Sequence, residues 1–344
     1  MKRMLFKLTA LLAAIGLVLS GCALQGKERK QYQATFLTLF DTVTYISGLA
    51  DSQEDFSAQA QEIHDDLLVY HRLFDIYHEY EGINNLKTVN DMAGIAPVQV
   101  DGEIIRMLTD CREYYELTGH RVNAAMGSVL SLWHETRTAG QDDPASAELP
   151  NADSLAEASR HVSWEDVILD PQASTVYLAD PELRLDVGAV AKGWSVQQVA
   201  RNAPEGLLIS VGGNVCATGP KDASGTPWVV GITDPDGGSE YLHTLYITDQ
   251  AVVTSGDYQR YYVVDGKVYH HIIDPDTLYP GELWRAVTVV CPDSGLADAL
   301  STALFLMSRE DGQRLLEQCG AVAMWMDAEG SLFYSPGFEE LIRT

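Results

Sequence analysis

Apolar positions recur along the chain at two intervals, and the interval changes with distance from the N-terminus. Ile63, Leu67, Tyr70 and Phe74 fall three or four apart, which predicts a helix over residues 54–77 with these side chains in a core. Ile104, Ile105, Leu108 and Cys111 repeat that spacing over 101–117, and Met126, Val129, Leu130 and Trp133 repeat it over 123–134. Ahead of these helices, ATFLTLFDTVTYISG (34–48) is β-branched and aromatic, a strand expected to break or bulge near Phe40-Asp41-Thr42. TAGQDDPASAELP (138–150) is polar and bounded by proline, and predicts a surface loop. From Asp166 onward the runs shorten to VILD, STVYLAD and LRLDVGA, the last feeding a helix that begins near Ala189. LLISV ends at Gly212-Gly213-Asn214, and YYVV and VYHHII flank Asp265-Gly266 as a hairpin. The apolar AVTVVC, the turn at 292–295 and a last helix carrying Asp298 follow. Helical and strand periods alternate without a parallel-sheet repeat, so the pattern alone supports an α+β class.

The first 22 residues obey a different rule. Lys2, Arg3 and Lys7 precede an apolar run from Leu8 to Leu19 that ends in Leu-Ser-Gly-Cys. That run is shorter than the roughly 20 apolar residues of a spanning helix, and LSGC resembles a bacterial lipobox, in which the cysteine is lipidated and becomes the mature N-terminus. The expected organisation is a signal peptide over 1–21, a lipidated Cys22 with a polar tether to residue 33, and a folded domain over 34–344. An exported, membrane-anchored protein facing outside the cytoplasm follows from that reading. Charge agrees on partners: 49 acidic against 23 basic residues repel a phosphate backbone, so no nucleic-acid partner is expected. Any anion must bind at a local site, helped by a metal or backbone N–H groups. Cys111, Cys216, Cys291 and Cys319 stand apart with no CxxC pair, which predicts buried free thiols.

Polar groups crowd into three places. In LDVGAVAKG, Asp186 ends an apolar segment, Gly188 permits close backbone approach, and Lys192 lies in a helical first turn whose N–H groups suit an anion. The junction lacks GxGxxG and GxxxxGK[ST], so neither a Rossmann nor a P-loop assignment follows. Asp298 and Thr302 are four apart on one helix, with Ser301 three from Asp298; their oxygens on one face suit a hard cation such as Mg²⁺. Between these stretches, TSGDYQRYY and HHIIDP bring Ser255, Asp257 and Arg260 toward His270 and His271. Strand alternation sends the two histidines to opposite faces, so one of them serves the site.

TLFDTVT, DVGAVAKG, ISVGGN, TSGDYQRYY, HHIIDP and ADALSTA, in that order from about Thr35 to Tyr334, resemble the ApbE family, the FAD:protein FMN transferases. The resemblance implies a single α+β domain with a mixed sheet and packed helices. It further implies that FAD is the substrate, that Mg²⁺ is the cofactor, and that FMN passes to a Thr or Ser hydroxyl of another protein with release of AMP. The acceptor expected is an exported respiratory or electron-transfer protein. By position, Asp298 and Thr302 would ligate the metal with the Ala189 carbonyl, and Ser301 occupies a further oxygen position. Flavin contacts carried over are Phe40, Arg121, Val122, Asn123, Asp186, Lys192 and Ile272, with Ser255 and Arg260 shaping the pocket. His271 is the expected general base, with His270 its rival. Asp274 either orients that histidine or starts the Asp-Pro turn. A metal-dependent FAD pyrophosphatase and a non-catalytic flavin-binding lipoprotein are the competing readings.

Overall fold

A computed structural model describes residues 29–343. The expected signal peptide and the expected lipidated Cys22 lie outside those residues. Strand β1 (Lys30–Leu39) turns at Phe40-Asp41 into β2 (Thr42–Ala50), so the expected single broken strand is a hairpin. Both turn residues sit at φ 52, the left-handed region a tight two-residue turn requires. β1 also begins four residues before the expected domain boundary: Lys30 pairs with Ala50, which makes residues 30–33 part of the fold rather than of a tether.

Helix α1 (Gln53–Phe74) follows, capped by the Ser52 hydroxyl accepting from the Asp55 N–H at 3.1 Å. Next come α2 (Leu86–Asp91), β3 (Val98–Gln99), α3 (Gly102–Leu117) and α4 (Gly127–Asp142). α4 starts four residues later than the spacing predicted and runs through the first part of the expected 138–150 loop. The Asn123 side chain accepts from the Ala125 N–H at 2.9 Å and holds residues 123–126 in a turn. After α5 (Ala152–Ala158), β4 (Val167–Asp170) and β5 (Thr175–Leu178) form a small sheet with β3. LRLDVGA is not a strand. Instead the Asn90 side chain, buried on α2, brackets Leu185: its Oδ1 accepts from the Leu185 N–H at 2.7 Å and its Nδ2 donates to the Leu185 carbonyl at 2.9 Å. One amide thus does the work of a neighbouring strand.

The rest of the chain supplies α6 (Ala191–Asn202), β6 (Leu207–Val211), β7 (Asn214–Ala217), β8 (Trp228–Thr233), β9 (Tyr241–Ile247), β10 (Ala251–Gly256), β11 (Tyr261–Val264), β12 (Lys267–His270), β13 (Ala286–Cys291), α7 (Ser294–Phe305), α8 (Arg309–Cys319), β14 (Val322–Met326) and β15 (Leu332–Tyr334). An eight-stranded sheet runs in the order β1-β2-β6-β7-β10-β13-β14-β15. The α+β class and single domain hold. Every ladder between these strands is antiparallel, so the sheets are not mixed as the resemblance implied; among the described residues parallel pairing is confined to a bridge between Met126 and Arg184.

Helices α1, α6 and α7 cover one face of the large sheet and the β8–β9 hairpin covers part of the other. β13 explains its unbroken apolar sequence: Val287, Val289 and Cys291 face the helices while Val290 faces β8–β9, so both sides are buried. Leu300, Leu304 and Phe305 of α7 have no exposed surface, and truncating one of these leucines to Ala would cost about 2–5 kcal/mol. α4, α5 and the β11–β12 hairpin enclose a smaller third cluster around Trp133 and Tyr262. Among the described residues no helix is long and apolar enough to cross a membrane, and the four cysteines are free.

Candidate active site

The site forms where the N-terminus of α6 meets α7. No side chain of its own sequence caps α6 at Val190. The Gly193 N–H is taken instead by Asp298 Oδ2, reaching across from α7 at 2.9 Å. A carboxylate at a helix N-terminus is favoured by the helix dipole, which pulls Asp298 to this place. Gly193 makes the approach possible: a Cβ there would lie 2.3 Å from the Ser294 carbonyl oxygen and 2.5 Å from the Asp298 Cβ. Gly193→Ala is therefore expected to cost about 1–3 kcal/mol as the helices are forced apart. Calorimetry should show the melting temperature fall by several degrees, and an unchanged value would mean that the contact yields freely.

Asp298 is 4% exposed, and burial raises its pKa against the opposing pull of Lys192 and the Gly193 N–H. Lys192 Nζ is 4.0 Å from Oδ2 and donates to the Gly188 carbonyl at 3.3 Å. Asn214, the first residue of β7, faces the carboxyl closely enough to favour its charged form, but its buried Nδ2 makes no hydrogen bond of normal geometry. Thr302 stands one turn along α7 from Asp298, its Oγ1 3.5 Å from Ser255 Oγ. The Ala189 carbonyl accepts no backbone hydrogen bond from the described residues. A carboxylate, a hydroxyl and a free carbonyl, next to an underused amide, fit a hard cation that takes oxygen ligands. Among the described residues no cluster of three His, Cys, Asp or Glu side chains competes with that set. Ser301 belongs elsewhere: fully buried, its hydroxyl donates to the Asp298 carbonyl at 2.9 Å and meets Ser255 Oγ at 2.8 Å. It braces Ser255 instead of offering a ligand.

The two histidines separate cleanly. His270, the last residue of β12, bonds the Gly281 carbonyl through Nε2 at 2.8 Å and accepts the Ile272 N–H on Nδ1 at 3.2 Å, edge-on to Phe305. Both its nitrogens are spent on structure. His271 points the other way: its Nδ1 is buried without a partner, and its Nε2 bonds no described residue. Burial, then the charges of Arg260, Arg137 and Lys192, push its pKa down to about 3, so it is neutral imidazole. Asp186 closes the same space, its Oδ1 accepting from the Gly188 N–H at 2.8 Å. Burial raises the Asp186 carboxyl, while His134, Arg260 and Arg137 pull it back. In a chain of net charge −26, three cations thus converge on one neutral histidine.

A model of the ApbE family matches residues 40–326, most of the chain. The chain belongs to the ApbE family. A protein of Treponema pallidum named FAD:protein FMN transferase is 34% identical over 277 residues, covering 75% of each chain. A Klebsiella pneumoniae protein of the same name is 32% identical over 269 residues, covering 74% of this chain and 80% of that one. The crystal structure of the ApbE protein of Thermotoga maritima superposes with a TM-score of 0.79 at 29% identity, over 92% of this chain and 100% of that chain. The flavin transferase ApbE of Vibrio cholerae, at 21% identity, shares the fold with a TM-score of 0.74.

The other residues carried over from the ApbE resemblance scatter around this centre. Phe40 crowns the first hairpin, its N–H donating to His71 Nδ1 at 3.2 Å. Arg121 pairs with Asp274 at 3.1 Å and Asp276 at 2.7 Å. Asp274 also accepts the Asp276 N–H at 2.8 Å, so it organises the turn and Arg121, with no bond to His271. Of its two expected roles, orienting the histidine or starting the Asp-Pro turn, these contacts serve the turn. Val122 and Ile272 are buried in the core, and the Asn123 amide donates to the Val162 carbonyl at 3.1 Å. Arg260 remains exposed at the mouth.

Sequence reasoning passed over His134, Arg137 and Tyr77. Arg137 contacts His134 Nδ1 at 3.0 Å, and the Tyr77 ring lies over His134 with centroids 5.0 Å apart. The signal was present: His134 and Arg137 are three apart on a helix, which makes them neighbours on its surface beside the core stripe of Val129 and Trp133.

Proposed function

We propose that this chain transfers FMN from FAD to a Thr or Ser hydroxyl of an acceptor protein, releasing AMP. The observation that carries the reading is His271, a neutral imidazole without a hydrogen-bond partner, set among three cations beside the Asp298–Thr302 oxygen set. Asp298, Thr302 and the Ala189 carbonyl would hold Mg²⁺, whose charge would neutralise phosphate oxygens as negative charge develops. Lys192, Arg137 and Arg260 bind and orient the FAD pyrophosphate, offsetting its charge in an otherwise acidic protein. The acceptor oxygen forms a bond to the FMN-side phosphorus as the bond from that phosphorus to the AMP oxygen breaks. The hydroxyl proton passes to Nε2 of His271, the nitrogen left accessible, and AMP departs with the bonding electron pair. The relatives' shared name, FAD:protein FMN transferase, supports a protein acceptor over water.

The deciding experiment incubates the purified protein with FAD and Mg²⁺, with and without a candidate acceptor bearing an exposed Thr, and follows intact mass and nucleotides. An FMN-sized mass gain on the acceptor with stoichiometric AMP establishes transfer. Free FMN and AMP accumulating at the same rate without acceptor would make it a pyrophosphatase instead. We further propose lipidation at Cys22 and residence outside the cytoplasmic membrane. Cys22→Ala should move the protein from membrane to soluble fractions, and unchanged retention would count against the anchor.

A further inference from the structure

On the opposite side of the large sheet from the α6–α7 site, β8 and β9 stop short of covering β1, β2 and β6. A groove with a cavity volume of about 530 Å³ lies there, lined by Trp228, Tyr246, Leu208, Gln31, Lys221 and Arg343 among others. Its floor is apolar: Trp228 is buried beneath it, Leu208 packs on the β8–β9 cluster, and Tyr246 is 41% exposed along its side. Two cations border that floor, each over an aromatic face, with Lys221 Nζ 5.5 Å from the Trp228 ring centroid and Arg343 Cζ 5.9 Å from that of Tyr246. Among the described residues neither makes an ion pair. The neighbouring Asp222 is turned inward, its Oδ1 accepting the Ser224 and Thr226 N–H groups at 2.8 and 3.3 Å.

We propose that this groove is a second ligand site, taking an amphipathic phosphate ester. The anionic head meets Lys221 and Arg343, and the apolar body lies along Tyr246 and Trp228. Arginine and lysine together suit phosphate, the first by its planar fork and the second as a point charge. The aromatic faces hold both cations in place before a ligand arrives, which lowers the ordering cost of binding. Such a ligand has two sources, a phospholipid headgroup or a free organic phosphate. Gln31 places the groove nine residues after Cys22, at most about 30 Å of extended chain, so a headgroup is within reach if Cys22 is anchored.

The test is titration calorimetry on the full chain with three probes: inorganic phosphate, dihexanoylphosphatidylglycerol below its micelle concentration, and dihexanoylphosphatidylcholine. At least one of the two anions should bind, with affinity lowered tenfold or more in Lys221→Ala/Arg343→Ala and unchanged in Lys192→Ala, which alters the α6–α7 site. Phosphatidylglycerol binding that also weakens in Tyr246→Ala assigns the lipid source, and binding of phosphate alone assigns the soluble one. The proposal is overturned if neither anion binds at millimolar concentration, if the double variant binds as wild type does, or if phosphatidylcholine binds as well as phosphatidylglycerol. FMN transfer should be untouched by the double variant, so failure of this site and failure of the proposed reaction read out separately.

Discussion

Asp298→Ala is expected to lower Mg²⁺-dependent FMN transfer about 100- to 1,000-fold in a protein that still folds. The magnitude corresponds to losing one well-placed electrostatic contact to the reacting phosphates, about 3–4 kcal/mol of barrier. Folding survives because the metal-free carboxylate is itself a liability: it is buried, its pKa is raised by that burial, and its one nearby cation is 4.0 Å away. What the variant loses structurally is the cap on the Gly193 N–H, about 1 kcal/mol. Asp298→Asn separates the two roles, since an amide oxygen can still accept from Gly193 but carries no charge. Its melting temperature in the absence of metal should match or exceed that of the wild type while turnover stays low. Full turnover in Asp298→Ala, measured as AMP release with Mg²⁺ titrated, would remove Asp298 from the metal site.

His271→Ala should slow transfer about 100- to 10,000-fold, the usual worth of a positioned general base, while FAD affinity changes little. Equilibrium FAD binding and single-turnover rates measured on the same variant distinguish these effects. His270→Ala should behave oppositely, losing stability by breaking the Gly281 link and opening a gap against Phe305, with a smaller effect on the chemical step. A large rate loss in His270→Ala with His271→Ala near wild type would reverse the assignment. The pH dependence carries the same information. In the free protein, burial and three cations hold His271 neutral far below its ordinary range. Bound FAD brings a pyrophosphate that offsets those cations and lets the histidine's pKa rise. The acid limb of kcat should therefore lie at higher pH than that of kcat/KM for FAD.

Much of this centre was legible from spacing. Asp298 and Thr302 share a helix face because 3.6 residues make a turn, and Asp265-Gly266 marks a hairpin because both residues accept positive φ. The opposite fates of His270 and His271 follow from strand alternation, although only packing reveals which one Gly281 claims. What escaped the sequence depended on partners far along the chain. Ser301 reads as an oxygen ligand by position, and its second contact, with the Ser255 hydroxyl from β10, is what ties it to structure. Asp274 reads as a partner for histidine until Arg121, 153 residues away, takes its carboxylate. LRLDVGA carries strand-forming residues, yet one edge meets only a short turn at residues 124–127 and the other a single side chain, Asn90. The Phe40-Asp41 hairpin was obscured for a local reason: a bulky aromatic at positive φ is rare, and here the His71 ring and the fold around it hold the conformation.

The Asn90 clasp on Leu185 bears on the order in which the molecule assembles. It joins positions 95 residues apart, so the Leu185 N–H and carbonyl have no partner until two distant parts of the chain have met. Contacts of such long sequence separation form late, because the loop they close must be paid for before they return anything. The clasp is also chemically narrow. Aspartate would lack the donor, leucine would leave a buried N–H and a buried carbonyl unanswered, and glutamine adds a methylene the cramped site must absorb. A lineage free to vary most of its surface thus has little freedom at this one amide.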